Sequence, residues 1–285
     1  MTRAVKFKGS LLTLVGRVIE IGNPAADFRV VSQDLKEVGL SNFNGRFKVI
    51  SSFPSLDTPV CDLQVKEFNK RVSGLSPEVA VIGISKDLPF AQKRFCSANG
   101  IQNETVLSDY RYSSFGINYG LLIKELNLLA RAVIILDKNN YLRYIQIAQE
   151  LTTPLDFDRA IKGLEEAIKD PGLPKKEEFP AHCKPCEEGT PPLAKEKIEK
   201  LLAQYRGWQL VEDKKLVKEF KFRDFVEAKY FLDLVSVIAE EQGHHPNLTV
   251  IYNRVKITLT THAAGGLTEN DFIMAKIIDQ IGEGQ

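Results

Sequence analysis

The sequence predicts two joined domains of different class, an α/β domain followed by an α+β domain. Length is the first observation, because 285 residues exceed an ordinary single domain and suffice for two. The second is a cluster of prolines, since six of the chain's 13 fall between Pro171 and Pro192. The third is a change of pattern across that cluster, from alternating strands and helices to hairpins among helices. We therefore place domains at 1–170 and 193–285, joined by a linker at 171–192.

The first domain has the alternating pattern of an α/β fold. Short runs of β-branched and apolar residues indicate four strands, at 47–53, 79–85, 132–137 and 141–147. Helical spacing, or a proline in the first turn, indicates three helices, at 62–72, 89–98 and 154–169. The order of these elements predicts a mixed sheet with helices on both faces.

The second domain is built differently. Two hairpins are indicated, the first within 208–222 and the second from strands at 248–252 and 255–261. Three helices are indicated at 195–205, 224–242 and 268–281. Asp224 and Glu227 have the spacing of a capping box at the start of the long middle helix. These elements predict an antiparallel sheet covered by helices on one face.

Composition narrows the class of protein. Hydrophobic residues make up 44% of the chain, which excludes disorder, and 38 basic residues balance 37 acidic ones. This balance gives no general attraction to nucleic acid or to a membrane surface. The sequence shows neither a membrane-length apolar run nor a signal-peptide pattern, which predicts a cytoplasmic protein. Thiols stay reduced there, so the four cysteines are expected to be catalytic, redox-active or metal-binding.

Cys61 closes the segment Pro54-Ser-Leu-Asp-Thr58-Pro-Val-Cys61, between a predicted strand and a predicted helix. Unpaired N–H groups and the helix dipole of a first turn favour a thiolate. Thr58 can place its hydroxyl beside the sulfur. The alternative is that Cys61 is a small buried hydrophobic residue, as most unpaired cysteines are.

This segment resembles the active-site loop of the peroxiredoxins, Pro-x-x-x-Thr-x-x-Cys. Asp87-Leu-Pro-Phe-Ala-Gln-Lys-Arg-Phe-Cys96 and Leu128-Leu-Ala-Arg131-Ala resemble the thiol peroxidase branch, the atypical two-cysteine type. The resemblance covers residues 5–168 and implies a thioredoxin-like fold.

The resemblance also implies a role for each residue. Cys61 would be the peroxidatic thiolate, which Pro54 shields from water, and Thr58 and Arg131 would bind the sulfur and the peroxide oxygens. Cys96 would be the resolving cysteine that forms a disulfide with Cys61. Thioredoxin would be the external reductant, and no bound cofactor is implied. Thr58 as a helix cap and Arg131 as a surface charge are the alternatives.

Disulfide formation between Cys61 and Cys96 requires a local change in the fold. Cys61 and Cys96 are 35 positions apart, on separate predicted helices. We therefore expect local unwinding at 58–64 and 92–98 when the disulfide forms.

Three of the four histidines, His244, His245 and His262, lie within 19 residues. Histidine titrates near neutrality, so the cluster suits acid–base catalysis. Three imidazoles also suit a zinc site. A turn without function is the third alternative.

The pattern around these histidines resembles pterin-4a-carbinolamine dehydratase. Its residues are Glu240, His244, His245, Pro246, Tyr252, His262 and Asp271. The resemblance extends from residue 182 to the C-terminus and implies acid–base chemistry without a metal. His244 and His262 become the acid and the base, and His245 orients the pterin substrate.

The resemblance places Glu240, Pro246 and Asp271 in the substrate-binding site. The alternatives are that Asp271 serves only as a capping box with Thr268, and Glu240 only as a helix-end charge. Cys183-Lys-Pro-Cys186, preceded by His182, is a redox motif, half of a zinc site, or neither.

Together these motifs predict a bifunctional enzyme that reduces hydroperoxides and dehydrates a 4a-hydroxytetrahydropterin. Thioredoxin and the two small substrates are the predicted partners, with no nucleic acid and no membrane. A homo-oligomer, at least a dimer, is expected because both resembled families commonly form symmetric assemblies. The alternative is that one half acts as a redox sensor or as a dimerisation module.

Overall fold

The computed structural model describes residues 3–72, 78–170, 182–187 and 189–282. These residues form two compact units, one ending at residue 170 and the other beginning at residue 182. Part of the predicted linker lies outside the described residues. No helix within the described ranges is both long and apolar enough to cross a bilayer.

The first unit contains strands and helices in alternation. The strands described there are β1 Arg3–Phe7, β2 Ser10–Val15, β3 Val30–Val31, β4 Glu37–Val38, β5 Phe47–Ser52, β6 Val79–Ser85, β7 Glu104–Ser108, β8 Leu122–Ile123, β9 Leu128–Leu129, β10 Ala132–Leu136 and β11 Leu142–Ile147. The helices are α1 Pro59–Val72, α2 Pro89–Asn99, α3 Ser114–Asn118 and α4 Phe157–Lys169.

Seven of these strands form a mixed central sheet in the order β11-β10-β5-β6-β7-β3-β4, and β1, β2, β8 and β9 form a small separate sheet. The neighbours β5, β6 and β7 are parallel. The connections β5-α1-β6 and β6-α2-β7 run in the same direction across the sheet. Because connections of this type are right-handed, α1 and α2 lie on one face of the central sheet. Phe68 of α1 and Leu164 of α4 share a buried cluster with Val49 and Val81.

The opposite face of the central sheet carries a different cluster. Ile50 and Ile82 point to this side, where Phe115 of α3 and Leu14 of β2 cover them. The predicted mixed α/β architecture is therefore confirmed, with the long helices on one face and the short α3 plus the small sheet on the other. The predicted helix at 62–72 begins earlier, at Pro59, because proline fits a first turn where no N–H partner is needed.

The second unit is a two-layer α+β fold, with helices packed on one antiparallel sheet. Its described elements are α5 Lys195–Leu202, β12 Gln209–Val211, β13 Lys215–Lys221, α6 Phe225–Gln242, β14 Asn247–Ile251, β15 Arg254–Leu259 and α7 Glu269–Gly282. The sheet is antiparallel in the order β12-β13-β15-β14. Val255 and Ile257 are buried whereas Arg254 and Lys256 are exposed, so the helices cover one face, as predicted. Asp224 caps α6 by accepting a hydrogen bond from the backbone N–H of Glu227 at 3.0 Å.

Candidate active sites

Cys61 is the third residue of α1, and its sulfur is completely buried. Two donors point at this sulfur. The hydroxyl Oγ1 of Thr58 lies 2.7 Å from Sγ, and Nη2 of Arg131 lies 3.2 Å from it. The Thr58 hydroxyl also lies 3.2 Å from the carbonyl oxygen of Ser55, which gives its single proton a second acceptor. Such a pair of donors stabilises negative charge on the sulfur.

Arg131 is fixed from three sides. Its Nη1 donates to Oε1 of Gln64 at 2.7 Å, and its Nε donates to the carbonyl oxygen of Leu151 at 3.0 Å. Gln64 in turn donates to the hydroxyl of Ser51 at 2.7 Å. Only 1% of Arg131 is exposed, so the alternative of a surface charge is wrong. Gln64 was absent from the predicted site, although its position one helical turn after Cys61 places it on the same helix face.

The loop that precedes Cys61 is held by Asp87. The Asp87 carboxylate accepts hydrogen bonds from the hydroxyl of Ser55 at 2.7 Å, the N–H of Leu56 at 2.8 Å and the hydroxyl of Ser85 at 2.8 Å. These contacts join the loop to the end of β6. Pro54 lies half-buried at the start of this loop. The sequence motif contained Asp87, but nothing in its spacing assigned it this anchoring role.

Cys96 lies in the last half of α2 and is buried. Burial raises the pKa of its thiol, opposed by a hydrogen bond from Nε2 of Gln33 at 3.3 Å. Cys61 and Cys96 belong to one hydrophobic cluster, which Phe53 and Val106 help to form. Both cysteines are thiols in the structure. The two residues predicted to react with each other therefore share one region of the core.

Glu104, at the start of β7, is a further ionisable group in this region. It is 6% exposed, and neither of its carboxylate oxygens has a hydrogen-bond partner among the described residues. Burial raises its pKa well above the ordinary value. The charge of Glu104 also contributes to raising the pKa of Cys96. No pattern in the sequence distinguished this residue, because isolated glutamates are usually exposed.

In the second unit, His244 forms a buried pair with Asp271. Nε2 of His244 lies 2.8 Å from Oδ1 of Asp271. The other carboxylate oxygen accepts hydrogen bonds from the hydroxyl of Thr261 and from the backbone N–H of Thr268, both at 2.8 Å. Asp271 has no exposed surface. This position corrects the expected contact with substrate and favours a supporting role behind His244, in addition to the capping contact with Thr268.

His244 and His262 belong to the same end of the sheet. Asn247 at the start of β14 pairs with Thr258 near the end of β15, so the segments before one strand and after the other meet. Asp271 joins them, because it contacts both His244 and Thr261, the residue before His262. His262 itself is exposed. The predicted pair of histidines is thus one buried and one exposed group.

The other predicted residues lie at the edge of this site. His245 is exposed, and its Nε2 lies 3.0 Å from Oε2 of Glu240, which is also exposed. Pro246 is half-buried. Within the described ranges, no three histidine, cysteine or acidic side chains are arranged to hold a metal ion.

Two family models match this chain, one on each of the two compact units. Residues 20–164 match the redoxin family model, and residues 191–281 match the model described as pterin 4 alpha carbinolamine dehydratase. A thiol peroxidase of Clostridium acetobutylicum is 47% identical over 163 residues, which are 57% of this chain and 98% of that protein.

Two further relatives cover the same part of the chain. A thiol peroxidase of Staphylococcus saprophyticus is 45% identical over 158 residues, which are 55% of this chain and 95% of that protein. The crystal structure of a peroxiredoxin-like protein from Aquifex aeolicus is 41% identical, with a TM-score of 0.55, and the match covers 58% of this chain and 98% of that one.

Proposed function

Because the chain belongs to the redoxin family, with thiol peroxidases as relatives, and carries a pterin 4 alpha carbinolamine dehydratase domain after it, we propose that it is a bifunctional enzyme. The first unit reduces hydroperoxides at Cys61, and the second dehydrates a 4a-hydroxytetrahydropterin at His244 and His262. The observation that carries the first activity is the pair of donors on the Cys61 sulfur. The second rests on the His244–Asp271 pair.

In the peroxidase reaction, the Cys61 thiolate attacks one oxygen of the hydroperoxide as the O–O bond breaks. Cys61 becomes a sulfenic acid, and the leaving alkoxide or hydroxide takes up a proton. Negative charge moves from sulfur to oxygen during this step. Arg131 and Thr58 are already directed at that location, so they stabilise the charge without rearranging. Gln64 and Leu151 hold Arg131 in position.

The disulfide step follows at the same cluster. The thiol sulfur of Cys96 attacks the sulfenic sulfur of Cys61, and the S–S bond forms as the S–O bond breaks. The thiol proton and the hydroxide leave together as water. Thioredoxin then reduces the disulfide by thiol–disulfide exchange. Because both cysteines lie in helices of the reduced fold, we expect the first turn of α1 and the second half of α2 to open during this step.

In the dehydratase reaction, the C4a–O bond of the substrate breaks while N5 loses its proton. The products are water and a quinonoid dihydropterin. His244 and His262 supply the acid and the base. Asp271 fixes the ring of His244, since a buried carboxylate lies 2.8 Å from Nε2. His245 orients the pterin, and Pro246 and Glu240 contribute to the substrate-binding site.

The experiment is a pair of assays on one purified sample of the full chain. We expect thioredoxin-dependent hydroperoxide turnover that is lost in Cys61→Ser, and pterin dehydration that is lost in His244→Ala and His262→Ala. Each variant is the control for the other activity, which it should leave intact. A single reaction with peroxide and no turnover would support the redox-sensor alternative. Unchanged dehydration in both histidine variants would exclude the second assignment.

The remaining proposals concern partners. We propose that the chain acts as a homo-oligomer, at least a dimer, and uses no bound cofactor. Light scattering coupled to size-exclusion chromatography measures the oligomer, and comparison of thioredoxin with glutathione as reductant tests the expected partner.

A further inference from the structure

The segment Cys183-Lys184-Pro185-Cys186 is attached to the second unit by specific hydrogen bonds. The N–H of Cys183 donates to Oε1 of Gln242 at 2.8 Å. The N–H of Lys184 donates to Oδ1 of Asn270 at 2.9 Å, and Nδ2 of Asn270 donates back to the carbonyl oxygen of Lys184 at 2.7 Å. Gln242 and Asn270 are both buried. Two buried amide side chains therefore hold this dithiol segment in a defined position.

Both sulfur atoms contact the same residue. Sγ of Cys186 accepts a hydrogen bond from Nδ2 of Asn270 at 3.3 Å, and Sγ of Cys183 lies 3.7 Å from the backbone carbonyl oxygen of Asn270. Each cysteine is half-buried. A Cys-x-x-Cys pair is the spacing that thiol–disulfide proteins use, because two intervening residues allow the sulfurs to approach bonding distance.

The residues that hold the segment are next to the dehydratase site. Asn270 directly precedes Asp271, whose carboxylate lies 2.8 Å from Nε2 of His244. Gln242 is the last residue of α6, two positions before His244. A change in the hydrogen bonds of Asn270 therefore acts on the backbone that positions the His244–Asp271 pair. Small displacements of such a pair have large effects on rate.

We propose that Cys183 and Cys186 form a reversible disulfide that perturbs the His244–Asp271 pair through Asn270 and lowers dehydratase activity. The oxidant is a hydroperoxide. One thiolate attacks it to give a sulfenic acid and an alcohol or water, and the second thiol then displaces hydroxide, which leaves as water. The O–O bond takes up the electron pair that the two thiols lose. Oxidation removes the thiol proton of Cys183 that faces Asn270 and draws the sulfur of Cys186 toward that of Cys183.

The effect on dehydration rests on the function proposed for the second unit, whereas disulfide formation does not. The experiment uses the full chain with Cys61→Ser and Cys96→Ser, so that Cys183 and Cys186 are the only cysteines left to form a disulfide. The sample is treated with hydrogen peroxide and then with reduced thioredoxin. Peptide mass spectrometry measures the loss of two hydrogen atoms, and histidine-ring NMR measures the environment of His244.

We expect a disulfide between Cys183 and Cys186, a shifted ring signal for His244 and a fall in dehydratase kcat/KM on the order of tenfold, the usual range for linked sites. Thioredoxin should reverse all three. Cys183→Ser and Cys186→Ser should keep the reduced activity in peroxide. In Asn270→Ala, the ratio of reduced to oxidised activity should approach one.

Three results would overturn the proposal: no disulfide, a disulfide without a shift of the His244 signal, or a disulfide without a change of rate in an active enzyme. If the reduced chain shows no dehydration, the proposed function fails on its own. The mass and the His244 signal still decide whether the switch exists.

Discussion

The two sites differ in how completely their reactive groups are buried. In the first unit, the sulfur of Cys61 is wholly buried and is held by one donor from its own loop, Thr58, and by one distant donor, Arg131. In the second unit, only His244 is buried and fixed, while His262 is exposed. The difference follows from the chemistry. Thiolate attack develops charge at one point, which fixed donors stabilise, whereas dehydration moves protons on a larger substrate that must reach the histidines.

The largest effect is expected from removing the guanidinium that faces Cys61. Arg131→Met should lower peroxidase kcat/KM about 10³-fold, at the upper end of what one charge-stabilising donor contributes. The variant also leaves Oε1 of Gln64 without its donor. Steady-state kinetics with thioredoxin measures the loss. Arg71→Met is the matched control, because Arg71 lies on α1 but is exposed, where ion pairs contribute little. Equal effects of the two substitutions would show that Arg131 does not act at the sulfur.

The next largest effect is expected from removing the charge of Asp271, which lies beside His244. Asp271→Asn keeps the shape of the side chain but loses the negative charge beside Nε2 of His244, so dehydratase kcat should fall about 10²-fold, typical of losing the partner that orients a functional histidine. The loss should appear in kcat more than in KM, since Asp271 has no exposed surface for substrate. Glu269→Gln is the control on the same helix, because its carboxylate forms an exposed ion pair with Lys197. A loss confined to KM would return Asp271 to the substrate-binding site.

A smaller effect tests the second donor on the sulfur. Thr58→Val removes the hydroxyl that lies 2.7 Å from Sγ and should lower the peroxidase rate about tenfold or more, as one neutral hydrogen bond in a buried site allows. Thr58→Ser keeps a hydroxyl at this position and should retain most of the rate. If both variants lose activity equally, a hydroxyl at this position is not sufficient, and the contact with Sγ does not explain the role of Thr58.

Comparison of the predicted and observed sites shows which contacts a sequence can reveal. Thr58 and Cys61 are three residues apart, so their contact is local and follows from the motif. Gln33 reaches Cys96 across 63 positions, and Asp87 reaches Ser55 across 32, so neither pairing leaves a pattern in the chain. Such contacts depend on the tertiary fold.

The same limit applies to the secondary structure. The strands β3, β4, β8 and β9 contain two residues each, which is too short for a periodic pattern, and they were not predicted. A buried β-branched run such as β6 or an amphipathic helix such as α4 carries its own signal and was predicted. The strands β1, β2 and β7 contain five or six residues and were also not predicted.

The smallest effect concerns the buried carboxyl near Cys96. Burial raises the pKa of Glu104 well above its ordinary value. We compare the closed fold with a state in which the region around Glu104 and Cys96 has opened to solvent. At a pH below the ordinary pKa of glutamate, the carboxyl is protonated in both states, so it does not affect the free energy of opening. As pH rises above it, ionisation favours the opened state, so the free energy of opening falls by up to about 1.4 kcal/mol per pH unit until the raised pKa is reached.

Glu104→Gln removes this pH dependence. Hydrogen exchange of peptides from α2 and β7, compared at equal pH, should be slower in the variant at pH about 8 and nearly equal to wild type at pH about 4.5, near the unperturbed glutamate pKa. Cys96 is present in both proteins, so the part of its raised pKa that comes from burial cancels in the comparison. Glu78→Gln is the control, because that exposed carboxylate pairs with Lys138 at 3.0 Å. Because the amide that replaces the Glu104 carboxyl is also buried, only the change with pH is decisive. A constant ratio across the pH range would mean that Glu104 does not favour the opening that the Cys61–Cys96 disulfide requires.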